Sequence, residues 1–400
     1  MKRNILFLLM LAGCGWFVLG IPMRGQLEFS LIENRSLQKW PEFSLDAFAQ
    51  GTYQEAIDSF LNDQLMYSEQ IKAVVKKVQR LPADCLIQFN ESKNAEAPNS
   101  ELDVERPKET FKYIALGKGI YRYGDSGYLI YRPGETIDFT SYQRFADTMN
   151  PLIDQLNDID FYAYFITTSS AIDFNAETPA DRYFPFVSQH LHVKQIERFA
   201  VNDFDDYRKY FYKSDHHWNH VGSYMGYRNL LAMLKPEETP MNPLDEICFD
   251  ELDFQGSSAR LTAYFDTHET FCAYQMPEDS NITVMINGLE GSYGQEQEYF
   301  NHEYDAEKGA SHYGSFYGGD NGEVLFINPE KEGNLLVLGN SFDNAVVKLL
   351  SHHYHEVRVI DWRYYEAETG QPFDLTETVR MMEADQVLFI GDNWFFKIDE

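Results

Sequence analysis

The chain has 400 residues, 44% apolar and 15% aromatic, enough to bury a sizeable core and to exclude global disorder. Lys and Arg number 33 against 63 Asp and Glu. The resulting formal charge of −30 repels phosphate, which makes nucleic acid and anionic lipid headgroups poor partners. Four cysteines (Cys14, Cys85, Cys248, Cys272) are too few for a disulfide scaffold and form no CxxC metal pattern. Whether Cys248 and Cys272 pair is open at this level.

Met1-Lys2-Arg3 precedes an uncharged apolar run over residues 5–21. A basic start before an apolar stretch is an export signal. The run is at the short end of what spans a bilayer as a helix. Two forms fit residues 1–21: an uncleaved signal anchor, or a lipoprotein signal with Leu11-Ala12-Gly13 ahead of a lipidated Cys14. The anchor is preferred because Gly15 to Ile21 stays apolar where mature lipoproteins turn polar. Both forms put the body on the extracytoplasmic face of the cell membrane.

Residues 22–89 read as an N-terminal helical segment. Its centre is an amphipathic helix from Tyr53 to Arg80, where Ile57, Phe60, Leu61, Leu65, Ile71, Val74, Val75 and Val78 recur at three and four. Residues 90–109 are polar and acidic and read as a loop or linker. From 110 to 400 the pattern is that of one α/β domain. Ile120–Tyr123 and Tyr128–Tyr131 flank Gly124-Asp125-Ser126-Gly127 as a hairpin. Thr140 to Leu156 is helical, Phe161 to Ile166 is a buried strand, and the spacing from Val221 to Leu234 is helical again. Leu335–Leu338 is a strand followed by a helix over Phe342–Tyr354, and Val357–Ile360 and Gln386–Ile390 are two more strands. Short apolar strands alternating with helices predict a parallel sheet flanked by helices. Residues from about 236 to 330 are aromatic, acidic and irregular and read as an insertion.

The strongest chemical candidate is Ser341, in Leu335-Leu336-Val337-Leu338-Gly339-Asn340-Ser341-Phe342. A strand, a glycine and a serine at a helix start set a hydroxyl at the carboxyl edge of a parallel sheet. Ligands bind at that edge, and backbone N–H groups there can hold an oxyanion. The bland alternative is that Ser341 only caps the helix. A serine nucleophile needs a base, and the base an orienting acid. Ser214-Asp215-His216-His217-Trp218-Asn219-His220 offers both, with Asp215 and His217 two apart on a loop. A metal site is the competing reading of this cluster, with His216 and His220 four apart on a helix face and Asp215 as third ligand. His352, His353 and His355 would be a second group, more simply explained as a helix end. Without an HExxH the metal reading is the weaker, and no metal or cofactor is expected. Gly124-Asp125-Ser126 spells a serine-esterase block, but no apolar strand leads into it, and Ser126 reads as turn chemistry.

Tyr212-Lys213-Ser214-Asp215-His216-His217-Trp218 resembles the signature of the bacterial DHHW protein family, related to the alginate O-acetyltransferases with their SGNH-hydrolase-like domain. Ile32 to Pro41, Phe60 to Gln64, Phe254-Gln255-Gly256-Ser257 and Asp361-Trp362-Arg363-Tyr364 resemble further motifs of such proteins, in order along the chain. The resemblance implies Ser341 as nucleophile, His217 as base and Asp215 as its orienting acid. One departure is Asn340-Ser341 where the family carries Asp-Ser. Tyr212, His216, Trp218, Asn344 and Arg363 are the further candidates: Asn344 for the oxyanion, Arg363 for substrate, Trp218 as a sugar platform or core residue, and His216 as a supporting partner. The implied activity is acyl transfer, O-acetylation of a surface polysaccharide with the acetyl group supplied by a membrane-bound acyltransferase. With water as acceptor the same site is an esterase. The rivals are a glycan-binding or assembly protein on the same fold, which Asn340 keeps open, and a metal-dependent hydrolase.

Overall fold

The structure, a computed structural model, describes residues 29–30, 35–41, 43–44, 48, 52–64, 112–134, 136–277, 281–304 and 311–399. The expected anchor over 5–21, Cys14, the linker over 90–109 and residues 65–80 of the expected first helix lie outside these. Among the described residues no helix is long and apolar enough to cross a membrane. The described residues group into two units. One takes those before residue 65 with 116–118 and 259–266, and the other takes the rest.

In the first unit, Thr52–Gln64 is a helix with Phe60, Asp63 and Gln64 buried. Asp63 Oδ2 accepts from the Gln38 backbone N–H at 2.9 Å, Gln64 Nε2 donates to the Gln38 carbonyl at 3.4 Å, and Trp40 packs edge-on against Phe60. The stretches around Gln38 and Asp63 that the sequence singled out thus meet each other.

The second unit is built on one eight-stranded sheet. In chain order its strands are β1 (Asp160–Ile166), β2 (Gln195–Phe199), β3 (Thr283–Ile286), β4 (Leu289–Glu290), β5 (Glu323–Ile327), β6 (Asn334–Gly339), β7 (Glu356–Ile360) and β8 (Gln386–Asp392). The spatial order is β4-β3-β5-β7-β6-β8-β1-β2. From β7 to β2 the five strands are parallel, while β5, β3 and β4 extend the β7 edge antiparallel. The expected parallel sheet is therefore the five-stranded part of a mixed one. The added strands all come from the 236–330 stretch, so that stretch is not an irregular insertion. Of the three only β5 alternates buried and half-buried residues as a half-covered strand does, and their short lengths hid them among loops.

Helices cover both faces. Along β6, Leu335 and Val337 point into one core, with Tyr227, Leu230 and Leu231 of α2 (His220–Leu234) and Val346, Val347 and Leu350 of α3 (Asn344–Ser351). Leu336 and Leu338 point into the other, with Tyr142, Phe145 and Ile153 of α1 (Thr140–Gln155) and Leu375 and Val379 of α5 (Leu375–Met381). Between β7 and α5 lies α4 (Trp362–Thr369). Alternate side chains entering two apolar layers is why a parallel strand reads as a continuous apolar run. Outside the sheet, Asp245–Asp253 and Thr270–Gln275 pair antiparallel, and a disulfide joins Cys248 to Cys272 directly across that ladder.

Candidate active site

At the carboxyl end of β6 the chain leaves the sheet through Gly339, Asn340 and Ser341. Helix α3 begins only at Asn344, so Ser341 is not its cap. Its hydroxyl instead lies 2.7 Å from His217 Nε2. His217 Nδ1 lies 2.7 Å from Asp215 Oδ1, which also accepts from the His217 backbone N–H at 3.1 Å. The structure therefore brings Asp215, His217 and Ser341 into one relay. Asp215 and His217 are buried, while Ser341 stays partly open.

The loop holding Asp215 and His217 is fixed on both sides. Behind it, Asn219 caps α2, its side-chain oxygen accepting from Val221 and Gly222 N–H, each at 3.0 Å. In front, Phe211 bridges to Trp218, and the Tyr212 N–H donates to the His217 carbonyl. Glu269 accepts from the N–H groups of Lys213 (2.6 Å) and Ser214 (3.0 Å) and from the Ser214 hydroxyl. Burial pushes the Glu269 carboxyl up to about 7, with the Asp215 charge adding to it against those three hydrogen bonds.

Asp215 itself is held by Ser257. The Ser257 N–H donates to Oδ2 at 2.6 Å and its hydroxyl to Oδ1 at 3.0 Å. His216 Nδ1 lies 2.7 Å from the same Ser257 hydroxyl. With that hydroxyl committed to Asp215, His216 donates, as the outermost link of the chain His216–Ser257–Asp215–His217. This contact requires Gly256, because a Cβ there would fall 2.3 Å from the Cβ of Asp215. On the other side, Tyr313 stacks on the His217 ring with centroids 4.0 Å apart and planes 5° apart, and its hydroxyl donates to the Ser341 carbonyl at 3.0 Å. Asn340 Nδ2 donates to Asp392 Oδ1 at 3.1 Å. Asp392 is buried at the end of β8, and burial pushes its carboxyl up to about 6, opposed by bonds from Trp394 N–H and Asn340 and by His217.

The remaining sequence candidates separate. Trp218 is fully buried, with its ring over Gly226 of α2, where a Cβ would come within 2.5 Å of it. That corrects its reading as a sugar platform. Tyr212 is also core, stacked on Phe271. Asn344 accepts from Tyr293 Oη and donates to Asp320, so its side-chain amide is held by these two partners. Arg363 is taken up by Asp361 and Asp320. His216 precedes α2, while His220 lies inside it and pairs with Glu246 at 2.9 Å, so the expected shared helix face does not form. The ligand atoms of Asp215, His216 and His217 do lie within 4.8 Å of one another. They are already committed to each other, to Ser257 and to Ser341, which is a poor donor set for a cation. His353 bonds to Tyr227 and His355 to the Asn328 carbonyl. Ser126 stays in its turn, bonded to the Tyr123 carbonyl.

Residues 192–360 match the DHHW protein family. Over that span the chain is similar to the DHHW proteins. The span holds Asp215, His217 and Ser341 together with Gly256, Ser257, Glu269 and Tyr313. Among solved structures, the chain resembles PatB1 of Bacillus cereus at 17% identity and a TM-score of 0.54, over 69% of this chain and 95% of that one. It also resembles a DHHW family protein from Eubacterium siraeum at 16% identity and a TM-score of 0.50, over 70% and 93%. At these identities the likeness is one of fold. The O-acetyltransferase domain of Pseudomonas putida AlgJ follows at 7% identity and a TM-score of 0.34, over 70% and 93%, a level that carries no argument. No curated protein matches the chain.

Five residues of the site escaped individual assignment: Gly256, Ser257, Glu269, Tyr313 and Asp392. Only Gly256 and Ser257 carried a signal, as part of Phe254-Gln255-Gly256-Ser257.

Proposed function

We propose that the protein is a serine-dependent O-acyltransferase or esterase of SGNH-like type, acting on a cell-surface polysaccharide. The observation that carries this reading is the unbroken relay from Asp215 Oδ1 through both ring nitrogens of His217 to Ser341 Oγ, with 2.7 Å at each contact. Two short hydrogen bonds in series, ending on a partly open hydroxyl, are the arrangement that activates a serine.

In the first half-reaction, Ser341 Oγ attacks an acetyl carbonyl while His217 Nε2 takes its proton. Asp215 holds Nδ1–H and stabilises the imidazolium. The tetrahedral intermediate collapses to acetyl-Ser341, and His217 returns the proton to the departing group. In the second, a sugar hydroxyl attacks the acetyl-serine, gives its proton to His217 and leaves O-acetylated. Ser341 regains its proton. Water in place of the sugar gives hydrolysis. Burial of Asp215 and His217 and the Tyr313 ring against the imidazole keep water from the base.

The chain works on the extracytoplasmic face of the cell membrane, held there by residues 5–21 or by lipid on Cys14, and a membrane-bound acyltransferase supplies the acetyl group. The Cys248–Cys272 disulfide supports an oxidising compartment. PatB1, which shares the fold, has been solved with a sulfonyl adduct. Sulfonylating reagents capture activated nucleophiles, and the same trap applies here.

The test is incubation with an activated acetyl ester, with and without oligosaccharide acceptors, followed by mass spectrometry of the protein. Acetyl on Ser341 in the parent, with turnover lost in both Ser341→Ala and His217→Ala, is the expected result. Equal rates in all three proteins would sink the reading and favour glycan binding without chemistry. Acetylated acceptor, against free acetate, decides between transferase and esterase.

A further inference from the structure

Three aromatic residues in succession, Trp394, Phe395 and Phe396, follow β8 at the edge of the sheet where Ser341 lies. Phe395 and Phe396 are buried, Phe395 stacked on Trp362. Trp394 is left 40% exposed. Its backbone is fixed close to the nucleophile, because its N–H donates to Asp392 Oδ1 at 3.1 Å, and the same oxygen accepts from the Asn340 amide at 3.1 Å. Its ring is fixed as well. Tyr131 stands at right angles to it, with centroids 4.6 Å apart. From Tyr131 the ring of His216 is 6.3 Å away, and His216 lies 3.9 Å from His217. A continuous run of rings therefore leads from solvent to the base.

We propose that Trp394, braced by Tyr131, is the platform on which an uncharged pyranose ring of the acceptor glycan stacks at the mouth of the Ser341 site. The proposal rests on the acyl-transfer reading above and names the substrate class of that site. An indole face is flat, apolar and weakly negative, which suits the C–H face of a pyranose. It becomes a subsite only when its orientation is set in advance, and here both backbone and ring are held.

The electrostatics select among glycans. Burial pushes the Tyr131 hydroxyl up to about 12, with the charges of Asp215 and Asp392 both adding to it. The neighbouring cation, Arg132, is drawn over the ring of Tyr113, 5.1 Å from its centroid. Two carboxylates close to the platform, on a chain of net charge −30, repel a polyuronate and admit an uncharged sugar. The sugar-platform role that the sequence offered to Trp218 thus passes to a tryptophan at the other end of the domain sequence, since Trp218 is buried against α2.

The test is calorimetric binding of the uncharged tetramer of N-acetylglucosamine, and of tetragalacturonate, to full-length Ser341→Ala protein. That background measures binding without turnover, so the result stands apart from the fate of the acyl-transfer reading, which the search for acetyl-Ser341 decides. The uncharged tetramer should bind and tetragalacturonate should bind more weakly, most clearly at low salt. Trp394→Ala should weaken the tetramer about tenfold, the factor that about 1.4 kcal/mol represents. Trp394→Phe, which keeps a stacking face, should recover most of that loss, with melting temperatures checking that both variants fold. Equal affinity in Trp394→Ala, tighter binding of tetragalacturonate, or no binding of the uncharged tetramer would each overturn the platform.

Discussion

Two stretches of the second unit build the same site by opposite means. Residues 334–392 form β6, α3, β7, α4, α5 and β8 in unbroken succession, and they place Ser341 by the regular geometry of a parallel sheet. Among the described residues, 236–330 contribute one disulfide-joined strand pair, three short strands and three short helices. They deliver Gly256 and Ser257 to Asp215, Glu269 to the loop before it, and Tyr313 to the ring of His217. The first stretch supplies Ser341, the proposed nucleophile, and the second supplies almost everything that orients His217 and Asp215. A strong local pattern can set one atom at a sheet edge. Holding an imidazole at 2.7 Å from that atom takes contacts from distant, irregular chain.

The comparison breaks most sharply at Gly256. If 236–330 were only decoration, a methyl there would be harmless. A Cβ at this position would meet Asp215 Cβ at 2.3 Å and its Cα at 2.7 Å, so backbone must move. Gly256→Ala should lower kcat by on the order of a hundredfold, the usual cost of misplacing a reacting group by about 1 Å, and should lower the melting temperature. Gly291→Ala is the control in the same stretch, since its nearest neighbour would be Ile286 Cδ1 at 3.8 Å. A Gly256→Ala enzyme with the parent's kcat would end the claim that this stretch holds the acid in place.

A second test lies in the 334–392 stretch. Asn340 and Asp392 share one hydrogen bond and one carboxylate. Asn340→Asp would set a second carboxylate against a fully buried one, and like charges in one site do not both ionise. Activity at neutral pH should fall by about tenfold, as the Ser341 turn gives way or one acid takes up a proton. The double variant Asn340→Asp, Asp392→Asn exchanges amide and acid across the same gap and should recover most of that loss. Failure of the double variant to exceed Asn340→Asp would show that position 392, and not the pair, requires the charge.

How much of this was legible follows from how far each contact reaches along the chain. Asp215 and His217 are two residues apart, and Leu335 to Ser341 is a strand and its exit, so both could be read from short windows. Trp218 was ambiguous because its burial is decided by Gly226, which opens α2 to its ring, and by Gly222, which admits the Tyr210 carbonyl and the Trp218 Cβ. Asn344 misled because the distance from Ser341 looks like one helical turn, whereas α3 starts at Asn344 and the three residues before it form a tighter turn. Tyr313 and Asp392 have no local signal, since one is an aromatic among many and the other an acid in a chain rich in them. Strands β3 and β4, at the antiparallel end of the sheet, are too short to show a period.

Glu269 gives a pH-dependent form of the contrast. Its folded carboxyl titrates at about 7, above the 4.5 of an unperturbed glutamate. Between those values the native state binds more protons than the unfolded chain, so this group's contribution to stability falls as pH rises through the window. Glu269→Gln cannot ionise and removes that slope. Its loss of stability relative to the parent, from a missing acceptor for Lys213 and Ser214 N–H, should be smaller near about pH 8 than near about pH 5 in denaturant titrations. The reverse order would mean that the three hydrogen bonds outweigh burial and that the carboxylate is the native form throughout.

The smallest expected effect is at Tyr313, and it separates two jobs of one side chain. The ring lies flat on His217, while the hydroxyl donates to the Ser341 carbonyl at 3.0 Å. Tyr313→Phe keeps the ring and removes one neutral hydrogen bond, worth about 1 kcal/mol, so kcat should fall only about fivefold. Tyr313→Leu also removes the flat face that restrains the imidazole. It should cost distinctly more, because His217 then loses the ring stacked flat on it. If Phe is as damaging as Leu, the carbonyl bond to Ser341 is what matters, and Tyr313 acts on the nucleophile turn. If Leu is the worse of the two, the 236–330 stretch acts through the ring of the base, as its other contacts with Asp215 and the preceding loop imply.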